Sequence, residues 1–184
     1  ARFAEKYAAW HSRTVADSLR YAGAEMSPAT ARSLDLLKLG ASNPAPSDPA
    51  KRKELSAITT ALPGVYGAGK YCPEDGDCLS GSELEELMAT TRDFDRLLEY
   101  WQGWREVSVP MREDYARFVK LVNEGAGELG FADLGEMWRS AYDMSPTEFE
   151  QETTRLWGQV EPLYEALHCH VRAELAEEYG EDKV

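Results

Sequence analysis

Apolar side chains recur along this chain every three or four residues rather than every second one, the period of helices buried along one face. Residues 2–21 place Phe3, Tyr7, Trp10, Val15 and Leu19 on such a stripe. Ser27-Pro28 reads as an N-cap followed by proline at the first helical position. The helix it opens runs through Leu34, Leu37 and Leu39 to Gly40, which reads as the glycine just past its end. "ASNPAPSD" is a proline-rich connector, after which Asp48-Pro49 starts a third helix, expected to end before Pro63.

The second half follows the same rule. Ser82 and Glu85 match a capping box ahead of "LEELMATT". A helix is predicted from about Arg92 to Arg105, and Pro110 opens another with Met111, Tyr115, Phe118, Val119 and Val122 on one face. "GFADLGEMWRSAYD" gives a short helix around Trp138. Ser145-Pro146-Thr147-Glu148 combines a capping box with a first-turn proline. The long stripe behind it carries Phe149, Leu156, Val160, Leu163, Leu167, Val171 and Leu175 and persists to Tyr179, with Pro162 expected to kink it or end its first part. No alternating stretch of useful length and no internal repeat occurs, so the fold class is all-α.

Composition narrows the partners. The chain has 184 residues, 43% hydrophobic and 29% charged, as a globular domain with its own core would be. Its net charge of −13, with Lys and Arg scattered, excludes the basic footprint of a nucleic-acid binder. No apolar run suits a membrane span, and the opening "ARFAEKYAAWHSR" lacks the apolar centre of a signal peptide. Of three cysteines, Cys72 and Cys78 enclose the turn-forming "PEDGD". A disulfide clip suits so small a loop, with two free thiols the alternative, and a zinc knuckle is disfavoured because no second Cys or His pair lies nearby.

No catalytic set assembles from the remaining residues. His168 and His170 diverge by roughly 200° on a helix, too far apart to share a metal on one face. Neither H-E-x-x-H nor G-x-S-x-G nor a glycine-rich phosphate loop is present. Cys169 is expected to be a buried packing residue and His168 a hydrogen-bonded core histidine. The densest cluster is "YWQGWR", where Trp101 and Trp104 share a helical face and Arg105 follows. It reads as core, as a cation–π stack or as a binding site.

Four segments, in this order, resolve the choice: "VYGAGKYCPEDGDC", "ELEELMATTRDFDRLLEYWQGWR", "RFVKLVNEGAGELGFADLGEMWRSAYD" and "VEPLYEALHCHVRAELAEEYG". Together they resemble the first part of the angiotensin-converting enzyme family of zinc peptidyl-dipeptidases, densely from about Tyr66 to Gly180 and weakly before. The resemblance implies a helical ellipsoid split by a deep channel, with residues 1–40 as lid-like helices and 41–184 as a helical subdomain walling the channel. Zinc would be held by an H-E-x-x-H helix and a later Glu, and would activate water to release C-terminal dipeptides from oligopeptides. That machinery lies beyond Val184 in the family's order, so the resemblance implies a chain with no catalytic residue and no zinc ligand of its own, inactive alone and partnered by the catalytic remainder of the same protein.

Residue roles follow from the same resemblance. Arg105, walled by Trp101 and Trp104, would hold one buried chloride, and Tyr142 a second. A guanidinium fork meeting an anion behind dry indole walls makes physical sense of the first. Tyr66 and Ala141 would lie near the substrate channel, and Cys72–Cys78 would be the family's disulfide loop. In a register with one residue deleted, Gly81 stands where some animal members carry a Glu that reads a basic ligand side chain, so the resemblance does not carry that preference over. A disulfide and the absence of any N-x-[ST] sequon point to a secreted or periplasmic protein. The competing reading is a non-catalytic helical binding module that keeps the peptidase scaffold.

Overall fold

Helix starts in this chain are set by short polar side chains that accept amide hydrogens otherwise left without a partner. The computed structural model describes residues 2–74 and 76–184, without the side chains of Arg2 and Ala4; Asp75 of the "PEDGD" loop lies outside the described residues. The helices are α1 (Arg2–Ser18), α2 (Pro28–Lys38), α3 (Pro49–Ala68), α4 (Gly81–Thr90), α5 (Phe94–Glu106), α6 (Arg112–Glu128), α7 (Leu134–Arg139) and α8 (Pro146–Tyr179). Thr30 N donates to Ser27 Oγ at the start of α2, Ala50 N and Lys51 N donate to Asp48 Oδ1 at α3, and Glu136 N donates to Asp133 Oδ1 at α7. The chain is all-α; among the described residues the strand pairing is one hairpin of two-residue strands, β1 (Lys70–Tyr71) and β2 (Leu79–Ser80), antiparallel with Tyr71 opposite Leu79.

Several boundaries differ from the pattern reading, each for a local reason. S-x-x-E occurs twice near residue 80, and the capping box uses Ser80 with Glu83 rather than Ser82 with Glu85. Ser80 ends β2 in extended backbone (φ −75°, ψ 166°), the geometry an N-cap needs, so the hairpin selects the earlier pair. Helix α3 continues through Pro63 to Ala68, and α8 passes Pro162 without ending. Proline's fixed φ is itself helical; each costs one amide hydrogen bond, and both rings are exposed, where water can take the freed carbonyl. Pro110 sits in a short 3-10 turn, Val109–Met111, ahead of α6. Gly40 follows the last residues of α2 but is not left-handed. A Cβ there would lie 3.3 Å from His11 Nε2, so the glycine serves close approach instead.

The described chain forms two compact units. The first comprises 1–69 and 107–143, so residues 1–40 belong with α3, α6 and α7. Its core joins Leu55 and Ile58 of α3 to Leu121, Val122 and Ala126 of α6 and Leu134 and Met137 of α7. Gly125 lets the chain at Pro44 cross α6, where a Cβ would come within 2.2 Å of Pro44 O. Arg117 clasps Glu54 through two hydrogen bonds (2.8 and 2.6 Å), and Lys51 pairs with Glu124 at 2.5 Å. Helix α1 buries His11, Val15 and Ser18, whereas the expected stripe residues Phe3, Tyr7, Trp10 and Leu19 are exposed.

The second unit comprises 70–106 and 144–184. The disulfide Cys72–Cys78 closes the hairpin, and Leu84 and Tyr100 are its buried residues. The end of α8 meets the start of α5: the Phe94 and Tyr179 rings pack tilted with centres 5.9 Å apart, Arg92 pairs with Glu178, and Lys183 reaches Asp95.

Two glycines two residues apart in α6, on different faces of the helix, give opposite expectations. Gly125→Ala must push back main chain and should destabilise by about 1–3 kcal/mol. Gly127 has open space around its Cβ direction, so Gly127→Ala should stabilise by about 1 kcal/mol through helix propensity. Urea midpoints of the two variants decide. The carboxyls of Glu83 and Glu148 are held below their usual range first by the hydroxyl, then by the amide, of Ser80 and Ser145. Their contribution is complete above the ordinary carboxylate pKa and disappears as pH falls through the depressed values. Glu148→Gln keeps an acceptor and should reduce the acid-side fall of helicity, followed by far-UV circular dichroism.

Candidate functional site

The "YWQGWR" cluster is built by two glycines that let rings lie on backbone. A Cβ on Gly103 would sit 2.2 Å from Cε2 of Tyr71, because that ring covers the glycine and ties the hairpin to α5. A Cβ on Gly81 would sit 2.9 Å from Cη2 of Trp104, so Trp104 lies over the first turn of α4. The Tyr71 hydroxyl donates to Glu99 Oε1 at 2.7 Å. That hydrogen bond, with burial and the carboxylate's charge, pushes the phenol up to about 12.

With α5 held in this way, Arg105 folds back along its own helix. Its guanidinium carbon lies 3.8 Å from the Trp101 ring centre, and Nη1 donates to Trp101 O at 3.2 Å. Stacking fixes the guanidinium plane, and the pair is exposed, where such contacts contribute about 0.5–1 kcal/mol. The two tryptophans therefore differ: Trp101 carries the cation, and Trp104, half-buried, anchors α5 to α4. Sequence spacing grouped the indoles and the cation but missed Tyr71 and Gly81. A glycine in the middle of an aromatic helix was the available signal.

In the first unit, Ala141 and Tyr142 lie together at the end of α7. They line a cavity of about 270 Å3 with Leu39, Ser42, Met137 and Trp138. Trp138 Nε1 donates to Ser42 O at 2.7 Å and sets its wall. Tyr142 is exposed. Tyr66 is exposed in the last turn of α3, where its carbonyl accepts from Gly69 N at 3.2 Å.

Among the described residues no group of three or more His, Cys, Asp or Glu could hold a metal ion. Zinc, which the resemblance implies, therefore has no fitting donor set here. His168 and Cys169 are not core residues: both are exposed on α8, and Cys169 is free, because this helix buries none of its residues. The apolar stripe that should pack, including Leu156, Val160, Leu163, Leu167 and Val171, lies open along a helix of about 50 Å. No helix among the described residues is long and apolar enough to cross a membrane.

Comparison with known proteins gives this geometry its context. Residues 1–184 match the family Peptidase_M2, angiotensin-converting enzyme. The angiotensin-converting enzyme of Sus scrofa is 38% identical over 137 residues, 72% of this chain and 10% of that protein. That of Oryctolagus cuniculus is 38% identical over 136 residues, again 72% of this chain and 10% of the relative. The angiotensin-converting enzyme of Theromyzon tessulatum is 35% identical over 133 residues, 69% of this chain and 21% of the relative. The chain thus spans about a tenth to a fifth of the length of these curated relatives. With the family matched from the first residue to the last, this chain belongs to the angiotensin-converting enzyme peptidase family.

Proposed function

We propose that this chain is a scaffold-forming segment of a secreted or periplasmic zinc peptidyl-dipeptidase that releases dipeptides from the C-terminus of oligopeptides. The observation that carries this reading is the open apolar face of α8 in a family member that has no metal-ligand set among its described residues. A helix with an apolar stripe is stable in water when that stripe is covered. The occupant proposed is the zinc-bearing remainder of the same protein, since the relatives are five to ten times longer than the part matched here. Residues 1–40 then act as lid-like helices and 41–184 as a channel wall, with Tyr66 and Ala141 near the peptide.

When bound in that remainder, zinc supplies Lewis acidity and an activated water. This chain's own residues would shape the channel and hold chloride. Arg105, with its plane set by Trp101 and its helix held by Trp104, would supply one anion's charge-assisted donors, and Tyr142 a hydroxyl to a second. The remainder would complete both shells.

Three measurements test the reading. The complete protein should hydrolyse a blocked tripeptide to a free dipeptide, lose that activity on chelation and regain it with zinc. The 184-residue chain alone should have neither zinc nor activity. A complete protein that binds no zinc would favour the binding-module reading instead. Arg105→Leu in the complete protein should shift chloride activation to higher concentration, while Arg105→Lys should restore only part of it because the planar fork is lost; an unchanged chloride titration removes Arg105 from the site. Leu163→Asp with Leu167→Asp should change the stability of the isolated chain by less than about 0.5 kcal/mol. In the complete protein the same pair should lower the melting temperature and the activity together.

A further inference from the structure

A second cavity in the first unit holds the one buried histidine among the described residues. It measures about 330 Å3, the lower end of the range for small-molecule sites. Helices α1 and α3 and the segment 40–45 enclose it. The body is apolar, formed by the Tyr7 ring, Ala8, Ala45 and Leu55. Tyr7 and His11 stack with ring centres 6.3 Å apart. His11 is 6% exposed and its Nε2–H donates to Leu37 O at 3.0 Å, which fixes the ring and leaves Nδ1 as an acceptor in the neutral form. Gly40 is the residue that allows this ring so close to the main chain.

The charge at the cavity is a single guanidinium. Arg52 lines it and donates once, from Nη1 to Ser47 O at 3.3 Å. The cations that bracket this surface are satisfied: Lys51 pairs with Glu124 and Arg117 with Glu54. The carboxylate of Asp48, one turn before Arg52, accepts the amides of Ala50 and Lys51. No carboxylate among the described residues lies in ion-pair range of Arg52, although the chain carries 33 acidic residues against 20 basic ones. A half-buried guanidinium with spare planar donors, beside a largely apolar slot whose rim also carries Ser42, Ser56 and Thr59, matches an anion attached to an apolar body.

We propose that this cavity binds a small amphipathic carboxylate, its anion on Arg52 and its single ring or short acyl body between Tyr7, Ala8, Ala45 and Leu55. Asn43, at the rim, adds an amide that can serve either face of the ligand. The site is independent of the peptidase reading, because none of its residues is assigned to peptide, zinc or chloride.

Titration calorimetry of the complete protein with phenylacetate and with its uncharged analogue phenylacetamide tests the proposal. Phenylacetate should bind at least about ten-fold more tightly, a difference of about 1.4 kcal/mol. Arg52→Gln should erase that preference, and Arg52→Lys should recover part of it. Equal binding of the two compounds overturns the proposal on the unmodified protein alone. So does a preference that survives Arg52→Gln, or no binding by either compound at about 10 mM, a very weak affinity. Zinc-dependent peptide hydrolysis should be retained in Arg52→Gln, which separates failure of this site from failure of the peptidase assignment.

Discussion

Close approach at glycine organises both units of this protein. The Tyr71 ring occupies the space a side chain at Gly103 would need, Trp104 does the same at Gly81, the Pro44 main chain at Gly125, and the His11 ring closes on Gly40. At Gly103, Gly81 and Gly125 a β-carbon would clash with a ring or a carbonyl, and at Gly40 it would be tightly placed, so the elements meet more closely than alanine readily permits. At Gly103 and Gly125, which lie inside helices, the helix loses roughly 1 kcal/mol of propensity each. The offsetting gain is the burial of a large ring or of chain that would otherwise lie free.

That constraint explains why the Trp101–Arg105 pair sits where it does. A long cationic side chain on an exposed helix ordinarily samples many rotamers. Here the helix beneath it is fixed through Tyr71 and Trp104, and the indole of Trp101 then restricts the guanidinium to one plane. The net result is a directional donor set on a rigid support, the arrangement that anion recognition requires.

Helix α8 presents the opposite situation. Capping at Ser145 and Glu148, and docking of Tyr179, Glu178 and Lys183 near α5, secure its two ends. Between them the side chains of its hydrophobic stripe are exposed. Propensity and caps alone leave a helix marginal in water, so an apolar stripe of this length stabilises a helix mainly when it is packed.

The all-α class, most helix starts and the order of segments that marks the family were legible in the sequence, because caps and a 3.6-residue period are local physics. Ser27, Asp48 and Ser145 act as their neighbours dictate, whatever the rest of the fold does. What the sequence left open needed partners distant along the chain. Two equivalent S-x-x-E patterns stood at residues 80–85, and only the hairpin closed by Cys72 and Cys78 made Ser80 the cap. The stripe of α1 suggested Phe3, Tyr7, Trp10, Val15 and Leu19 as core, yet of these packing buried only Val15, together with His11 and Ser18. Cys169 and His168 read as interior residues on an apolar helix, and lie exposed because periodicity states which face could pack, not what is there to pack against it. The division of Trp101 and Trp104 into a cation's support and a helix anchor was likewise decided by Gly81, twenty residues away and silent in any local pattern.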